Sequence, residues 1–235
     1  MFLGGQIMQY EISDNVCLSS LKNFIIEKCD KYCYPNVIDY RDFCLPTNNQ
    51  DNTPHCVGYT VGAYLEVEYW KRYHIPKQFN AEEIYKAGRK YKADTIDGTK
   101  IEYCLLQLKK DKVFYGSILS YIPQSVNEVR YVVHQYGIIM CGLLITDEWY
   151  NLDKEFVIKE SKKPKVLGRH CVLCCGYCKK GVYIQNSWGF KKWGNYGFCI
   201  VPWNMWMKQI QCCVFIKNLK FNLEKTERLL DVAKC

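Results

Sequence analysis

The sequence predicts an α+β protein with a helical N-terminal lobe and a strand-rich C-terminal lobe. Three observations carry this prediction. Apolar residues recur with a helical period through the first half of the chain, short apolar runs typical of buried strands begin at Ile138, and 49% of the 235 residues are hydrophobic. Because no Gly/Ser-rich run, repeat or low-complexity stretch marks a linker, we expect both lobes to belong to one domain.

Helix signals follow one another along the chain. Pro54 favours a first helical turn, so a long buried helix should begin near Cys56 and continue to about Tyr73. Asn80 is a candidate N-cap for the next helix, which carries two acidic residues in its first turn. The predicted helices cover residues 12–33, 56–73, 81–92, 99–108, 125–136 and 223–232.

Strand signals dominate the second half, and one loop of the first half stands out. The predicted strands cover residues 138–145, 171–177, 182–185, 196–201 and 212–216. Residues 48–54 are polar and turn-forming, which predicts a loop that presents Gln50 just before the long helix.

Gln50, Cys56, His170 and Asn186 occur in this order, each in a short segment that suits the same chemistry. A thiol attacks a carbonyl well only as thiolate, a form that a neighbouring imidazole and a helix N-terminus both favour. His170 begins an apolar strand, and the amide oxygen of Asn186 can hold its ring. His55 is a poorer base, because adjacent helical residues point about 100° apart, and we expect it at a cleft rim or in solvent.

These segments resemble those of papain-like cysteine peptidases, the family that includes the cathepsins. As in the family, Gln50 precedes the cysteine by six residues, Cys56 opens a long helix, and Asn186-Ser187-Trp188-Gly189 is intact. Residues 39–41 resemble the start of a mature family domain, and residues 193–198 resemble the turn that follows the family's Asn segment. The resemblance covers roughly residues 37–203.

The resemblance implies a papain-like two-lobe fold, in which a helical lobe and an antiparallel, barrel-like sheet lobe enclose the active-site cleft. It implies a thiol endopeptidase that hydrolyses peptide bonds through an acyl-enzyme, with Cys56 as nucleophile, His170 as base and Asn186 as the residue that orients it. Gln50 and the backbone N–H of Cys56 would form the oxyanion hole, and Trp188 would shield the His170–Asn186 hydrogen bond from water.

The same resemblance divides the chain and suggests substrate contacts. We expect an N-terminal extension over residues 1–36, a papain-like peptidase domain over 37–217 and a helical tail over 218–235. Asp97, Gly98 and Thr99 resemble the glycine-containing segment that lines the non-primed side of the family's cleft. Arg169 and Trp188 complete the predicted substrate-binding set, and Arg169 would favour an acidic or polar group there.

The sequence also departs from the family pattern. His170 follows Cys56 by fewer residues than the roughly 130–150 typical of the family, so the intervening region is trimmed. Thr53 stands where relatives have a disulfide cysteine, Val57 where they have Trp, and Arg169 where many have Asp or Asn. These changes bear on disulfides and substrate preference, while the nucleophile, the base and the orienting residue remain.

Three alternatives stay open at this point. The same thiol and imidazole could serve an acyltransferase or an isopeptidase, and a papain-like module can also be a catalytically inactive binding protein. Cysteines 171, 174, 175 and 178 have spacing suited to zinc, but residues of one strand alternate faces, so these four sulfurs would not converge. We therefore expect no metal and no cofactor.

The cysteine count, the net charge and the apolar runs of the chain limit which partners and which cellular compartment we expect. The fifteen cysteines are odd in number and no export signal is visible, so we expect mostly reduced thiols in the cytoplasm or another reducing compartment. The net charge of +8 comes from dispersed lysines, which predicts a solvated basic face and no nucleic-acid partner. No apolar run is long enough to span a membrane. We expect a monomer that meets a polypeptide substrate and, as a second partner, a proteinaceous inhibitor.

Overall fold

The computed structural model describes Ile25, residues 33–94 and residues 96–230. Apart from Ile25 and Cys33, the predicted helix over residues 12–33 lies outside these described residues, as does most of the predicted N-terminal extension. The fold described below therefore concerns the rest of the chain.

Six α-helices occur within the described residues, and those predicted over residues 56–73 and 81–92 begin where expected. Asn80 caps the second helix, since its Oδ1 accepts a hydrogen bond from the Glu83 N–H at 3.0 Å, and Ser125 caps the fourth in the same way through Glu128. The helices are α1 (Cys56–Tyr73), α2 (Ala81–Tyr91), α3 (Ile101–Lys110), α4 (Val126–Tyr136), α5 (Trp203–Gln209) and α6 (Leu223–Thr226).

Seven strands form one antiparallel sheet. Their order across the sheet is β2-β7-β3-β4-β5-β6, and the short β1 pairs with β4. The strands are β1 (Ile38–Asp39), β2 (Phe114–Tyr121), β3 (Ile139–Thr146), β4 (Val166–Tyr177), β5 (Gly181–Gln185), β6 (Phe198–Pro202) and β7 (Ile210–Phe221). The molecule is thus α+β, as the sequence predicts.

The structure corrects several predicted elements. Strand β2 lies between α3 and α4, in the half that we predicted to be helical, and α5 has no counterpart in the prediction. The terminal helix ends at Thr226 and continues as a 3₁₀ turn to Leu229, instead of running through residue 230. Strand β7 extends to Phe221, so the predicted boundary between residues 217 and 218 falls within a strand.

Helix α1 is the element that joins the two lobes. Its side chains Val61 and Leu65 are fully buried in one continuous apolar core that also contains Val172 and Leu173 of β4. The hydroxyl of Tyr64 accepts a hydrogen bond from the Ile216 N–H of β7 at 2.9 Å. Packing on this sheet face fixes the first residue of α1, Cys56, against β4.

Candidate active site

Cys56 is the first residue of α1 and is half-buried. Three backbone N–H groups lie beside its sulfur: that of Cys171 in β4, that of Val57 and that of Cys56 itself. Burial raises the pKa of the Cys56 thiol, and these N–H groups oppose that shift because they stabilise a thiolate. The site therefore holds the sulfur in place, with donors ready for its charged form.

His170 is buried in β4, and Asn186 fixes its ring. Nε2 of His170 lies 2.7 Å from Oδ1 of Asn186. The same oxygen accepts the backbone N–H of Ser187 at 2.8 Å, which identifies it as an acceptor, since a backbone N–H can only donate. Nε2 must therefore carry the proton in this hydrogen bond, and in the neutral ring Nδ1 is left with the lone pair of a base.

The Cys56 sulfur lies beside the strand that carries the imidazole. Cys171, whose N–H bonds to the Cys56 sulfur, directly follows His170. Within the described part of the chain Nδ1 of His170 has no hydrogen-bond partner, so its lone pair is available. Cys56 thus lies next to the segment of β4 that begins with His170, and His170 is bonded to Asn186.

Burial controls the charge of this pair. Burial lowers the pKa of His170 to about 4, although its hydrogen bond to Asn186 acts in the opposite direction. Burial thus disfavours a negative charge on the Cys56 sulfur and a positive charge on the His170 ring, when either forms alone. A proton transfer from thiol to imidazole forms both charges at once and brings their mutual attraction, which is how the pair can become reactive.

Aromatic side chains enclose the imidazole. Trp188 stacks on His170 with ring centroids 5.0 Å apart, and the fully buried Trp149 meets the imidazole edge-on at 6.3 Å. Tyr150 in turn stacks on the outer side of Trp188. Sequence reasoning singled out Trp188 and missed Trp149, whose only signal was a Trp-Tyr pair in the polar segment that follows an apolar strand.

Gln50 lies in a loop that is tied to the Asn186 segment. Its side-chain Oε1 accepts the Ser187 hydroxyl at 2.6 Å, and its backbone N–H donates to the Ser187 carbonyl at 2.8 Å. One hydrogen of its Nε2 goes to the Thr53 carbonyl at 2.8 Å, which leaves the second for another acceptor. Gln50 thus connects the loop before Cys56 to the loop that follows Asn186.

The predicted substrate-binding residues are placed differently from one another. Gly98 has φ +80°, and a Cβ there would lie 3.9 Å from the Pro54 carbonyl, two residues before Cys56. Its own carbonyl accepts Arg89 Nη1 at 3.0 Å. Asp97 is exposed and Thr99 half-buried, and Arg169 is exposed on β4 beside His170. The role of each in binding substrate stays a prediction.

His55 is the N-cap residue of α1 and lies against Tyr85 of α2, with ring centroids 3.9 Å apart. Its Nδ1 is buried without a hydrogen-bond partner among the described residues. His55 thus packs on the helical lobe. Within residues 33–94 and 96–230, no group of three or more His, Cys, Asp or Glu side chains is arranged to hold a metal ion. Over the same residues, no helix is long and apolar enough to cross a membrane.

Comparisons with known proteins identify the fold. No protein-family model and no curated protein matches the sequence. Solved structures do match. Xylellain, a cysteine protease from Xylella fastidiosa, superposes with a TM-score of 0.65 at 16% identity, over 83% of this chain and 88% of xylellain. Digestive procathepsin L 3 of the Tenebrio molitor larval midgut gives 0.61 at 13% identity, over 80% and 72% of the two chains.

A plant enzyme shows the same likeness. Bromelain from Ananas comosus, solved in complex with the E64 inhibitor, gives a TM-score of 0.61 at 15% identity, over 78% of this chain and 99% of bromelain. Xylellain is a cysteine protease by name, and bromelain is named as a protease. The described chain therefore has a papain-like fold, as its motifs suggested. Identity this low establishes the architecture and leaves the activity to be argued from the site.

Proposed function

We propose that this protein is a thiol endopeptidase that hydrolyses peptide bonds of a polypeptide substrate. The observation that carries the proposal is the arrangement of Cys56, His170 and Asn186. The Cys56 thiol, at the first turn of a buried helix, lies beside the strand that carries His170. The amide oxygen of Asn186 sets the tautomer of the His170 ring. An arrangement of this kind activates sulfur for attack on a carbonyl.

The proposed reaction follows from the atoms available. Nδ1 of His170 accepts the thiol proton, and the Cys56 sulfur attacks the peptide carbonyl. The free Nε2 hydrogen of Gln50 and the Cys56 N–H hold the oxyanion, and loss of one such donor typically costs about 2.7–4 kcal/mol in the transition state. His170 then protonates the leaving amine, and water, with His170 as base, releases the acyl group.

The shape of the site supports a substrate that lies along the helical lobe past Gly98. The αL-like backbone of Gly98 leaves space beside the Pro54 carbonyl, where an extended peptide can approach the nucleophile. Trp188 offers an apolar ring on the other side of His170. These two residues are the proposed substrate contacts with structural support.

Hydrolysis of a panel of fluorogenic dipeptides tests the proposal, with Cys56→Ala as the decisive variant and Cys44→Ala as its matched control. Cys44 is likewise half-buried, but it lies near β1, where its sulfur donates to the Tyr40 carbonyl. We expect the Cys56 variant to lose all turnover and the Cys44 variant to keep it. Turnover that persists without the Cys56 sulfur would refute the mechanism.

Two further measurements separate the alternatives. An amine added to the assay traps the acyl group if the site performs acyl transfer, and product analysis would reveal the new amide. An inactive binding module would neither turn over peptides nor be labelled at Cys56 by an epoxide inhibitor. Labelling at Cys56 that the Cys56→Ala variant abolishes supports an activated thiol.

A further inference from the structure

Peptide hydrolysis uses one sulfur, yet the thiol of Cys171 has three others around it, those of Cys56, Cys104 and Cys212. Cysteines 104, 171 and 212 belong to α3, β4 and β7, and all the cysteines of the described residues are free thiols. Cys171 and Cys212 come from the sheet face on which α1 packs. These three sulfurs have no role in the proposed reaction.

Cys171 is the thiol that shares its surroundings with Cys56. Its own N–H bonds to the Cys56 sulfur, and because N and Cα of a residue are about 1.5 Å apart, its Cα lies close to that sulfur too. The Thr60 hydroxyl, four residues after Cys56 on the same face of α1, hydrogen-bonds to the Cys171 sulfur. Both sulfurs therefore lie between one face of α1 and the same point of β4.

Cys212 has a different relation to Cys171. Gly142 of β3 pairs with Cys171 on one side and with Cys212 on the other, so two strand spacings separate the two cysteines. Two spacings amount to about 9.6 Å, which exceeds the roughly 7 Å between Cα atoms that a disulfide can span. The Cys212 sulfur lies over Gly142, 2.8 Å from where a Cβ would be. Cys212 is therefore excluded as a disulfide partner of Cys171, whereas the Cys171 N–H lies at the Cys56 sulfur.

We infer that Cys56 and Cys171 form a reversible oxidation site whose oxidant is hydrogen peroxide. The Cys56 sulfur attacks one oxygen of the peroxide and the O–O bond breaks. The sulfur becomes a sulfenic acid, and the second oxygen leaves as water. The Cys171 sulfur then attacks the Cys56 sulfur, the S–O bond breaks, and the hydroxyl leaves as a second water with the Cys171 proton. A dithiol returns two electrons and two protons and restores both thiols.

The order of these steps follows from exposure. Cys56 is half-buried, whereas Cys171 is 3% exposed and burial keeps its pKa well above the ordinary value, so it remains a protonated thiol. Peroxide reacts with accessible thiolate, so oxidation begins at Cys56. A disulfide at this stage protects the sulfur from irreversible oxidation to sulfinic acid and blocks attack on substrate until it is reduced.

Peroxide treatment followed by non-reducing digestion and mass mapping tests the site directly. Wild type is compared with Cys171→Ser and Cys171→Ala, and with Cys212→Ser as the matched control. Each variant's recovery in dithiothreitol is expressed relative to its own activity before oxidation, and circular dichroism checks the fold. The alanine variant covers the case in which a buried serine hydroxyl impairs folding.

In wild type and in the Cys212 variant we expect a peptide pair that joins Cys56 to Cys171, and dithiothreitol should restore activity. Without the Cys171 sulfur, Cys56 should go on to sulfinic acid, and the recovered fraction should fall by about tenfold or more. Wild type that yields sulfinic acid and no Cys56–Cys171 pair, or Cys171 variants that recover as wild type does, would overturn the inference.

The inference depends on the proposed function only for its activity readout. If the reduced protein hydrolyses no peptide, the proposed function fails, while the cross-linked peptide still decides the oxidation site by mass alone. If the reduced protein is active but forms no such pair, the oxidation site fails and the peptidase stands.

Discussion

At the scale of single residues, the oxygen of Asn186 decides which nitrogen of His170 keeps its lone pair. Replacement by Asn186→Ala removes the acceptor for the Nε2 proton, so the ring loses its fixed tautomer and orientation. Loss of a partner in a buried hydrogen bond costs about 1–3 kcal/mol. We therefore expect kcat/KM for a fluorogenic dipeptide to fall by about tenfold to a hundredfold, since 1.4 kcal/mol is a factor of ten.

Asn204→Ala provides the control for this change. Asn204 is an exposed residue of α5 whose amide bonds to Glu160, away from the site. Its variant should keep wild-type kinetics. If Asn186→Ala matched it, the orienting role of Asn186 would be wrong.

The pKa of His170 gives a second prediction, best measured in Cys56→Ala, which cannot form a thiolate. Burial lowers the pKa of His170 to about 4, against about 6.5 for an exposed histidine. An NMR titration of the His170 ring in this variant should therefore show a midpoint well below 6.5. A midpoint at or above that value would mean that the imidazole is hydrated or paired with an anion.

The same shift has a consequence for stability. Between pH 6.5 and 4 the unfolded chain binds a proton at His170 that the folded chain does not, so the free energy of unfolding falls as the pH falls through this window. The loss amounts to about 3 kcal/mol at the acid end and is absent above pH 6.5. Urea unfolding of Cys56→Ala should show it, and the double variant with His170→Gln should show a correspondingly smaller loss.

The candidate site could be proposed from the sequence because each of its residues belongs to a short motif with its own chemistry. The order Gln50, Cys56, His170, Asn186 suggested which residues belong together, and the hydrogen bond from His170 to Asn186 is present in the structure. Trp149 was not predictable in the same way. It reaches the imidazole edge only because a 3₁₀ turn after β3 folds back toward β4, and such a turn leaves no periodic pattern in the sequence.

At the scale of elements, the same distinction holds. Helix α1 was predicted from Pro54 and the apolar pattern that follows, and it begins at Cys56 as expected. Strand β2 was missed because its alternation of half-buried and buried residues is weak. Among the strands that the structure describes it lies at the edge of the sheet and pairs with β7. Long-range pairing with a distant strand determines such an element more than its own residues do.

Close packing between α1 and α2 depends on a glycine. A Cβ at Gly58 would overlap the Ala81 carbonyl oxygen and come within 2.9 Å of the Tyr85 Cβ, so Gly58→Ala must push α2 away. We expect it to lower the free energy of unfolding by about 1–3 kcal/mol, as overpacking typically does. Urea unfolding monitored by circular dichroism measures the change.

Gly62, one turn further along α1, is the matched control. A Cβ there would meet Ile84 and Phe79 at 3.6 Å, which is ordinary contact, so Gly62→Ala adds helix propensity without overlap. It should leave stability unchanged or raise it by up to about 1 kcal/mol. Equal destabilisation by both alanines would show that helix α2 does not lie as close to Gly58 as described.

At the scale of the whole molecule, the two lobes share one apolar core. Val61 and Leu65 of the helical lobe pack in the same cluster as Val172 and Ile184 of the sheet. The chain's end adds a second connection, because the Asn80 N–H before α2 donates to the Leu229 carbonyl at 2.7 Å. The lobes should therefore unfold together as one cooperative unit.

Free cysteines in both lobes report directly on this cooperativity. Cys104 of α3 is fully buried in the helical lobe and Cys199 of β6 is buried in the sheet, while Cys33 is exposed. If the lobes unfold as one cooperative unit, a thiol reagent in mild denaturant should modify Cys104 and Cys199 at the same slow rate, because global opening sets that rate. The exposed Cys33 should react at once. Mass mapping over time measures each rate. Faster labelling of Cys104 than of Cys199 would mean that the helical lobe opens alone, and in that case the contact between Cys56 and β4 would be lost in each such opening.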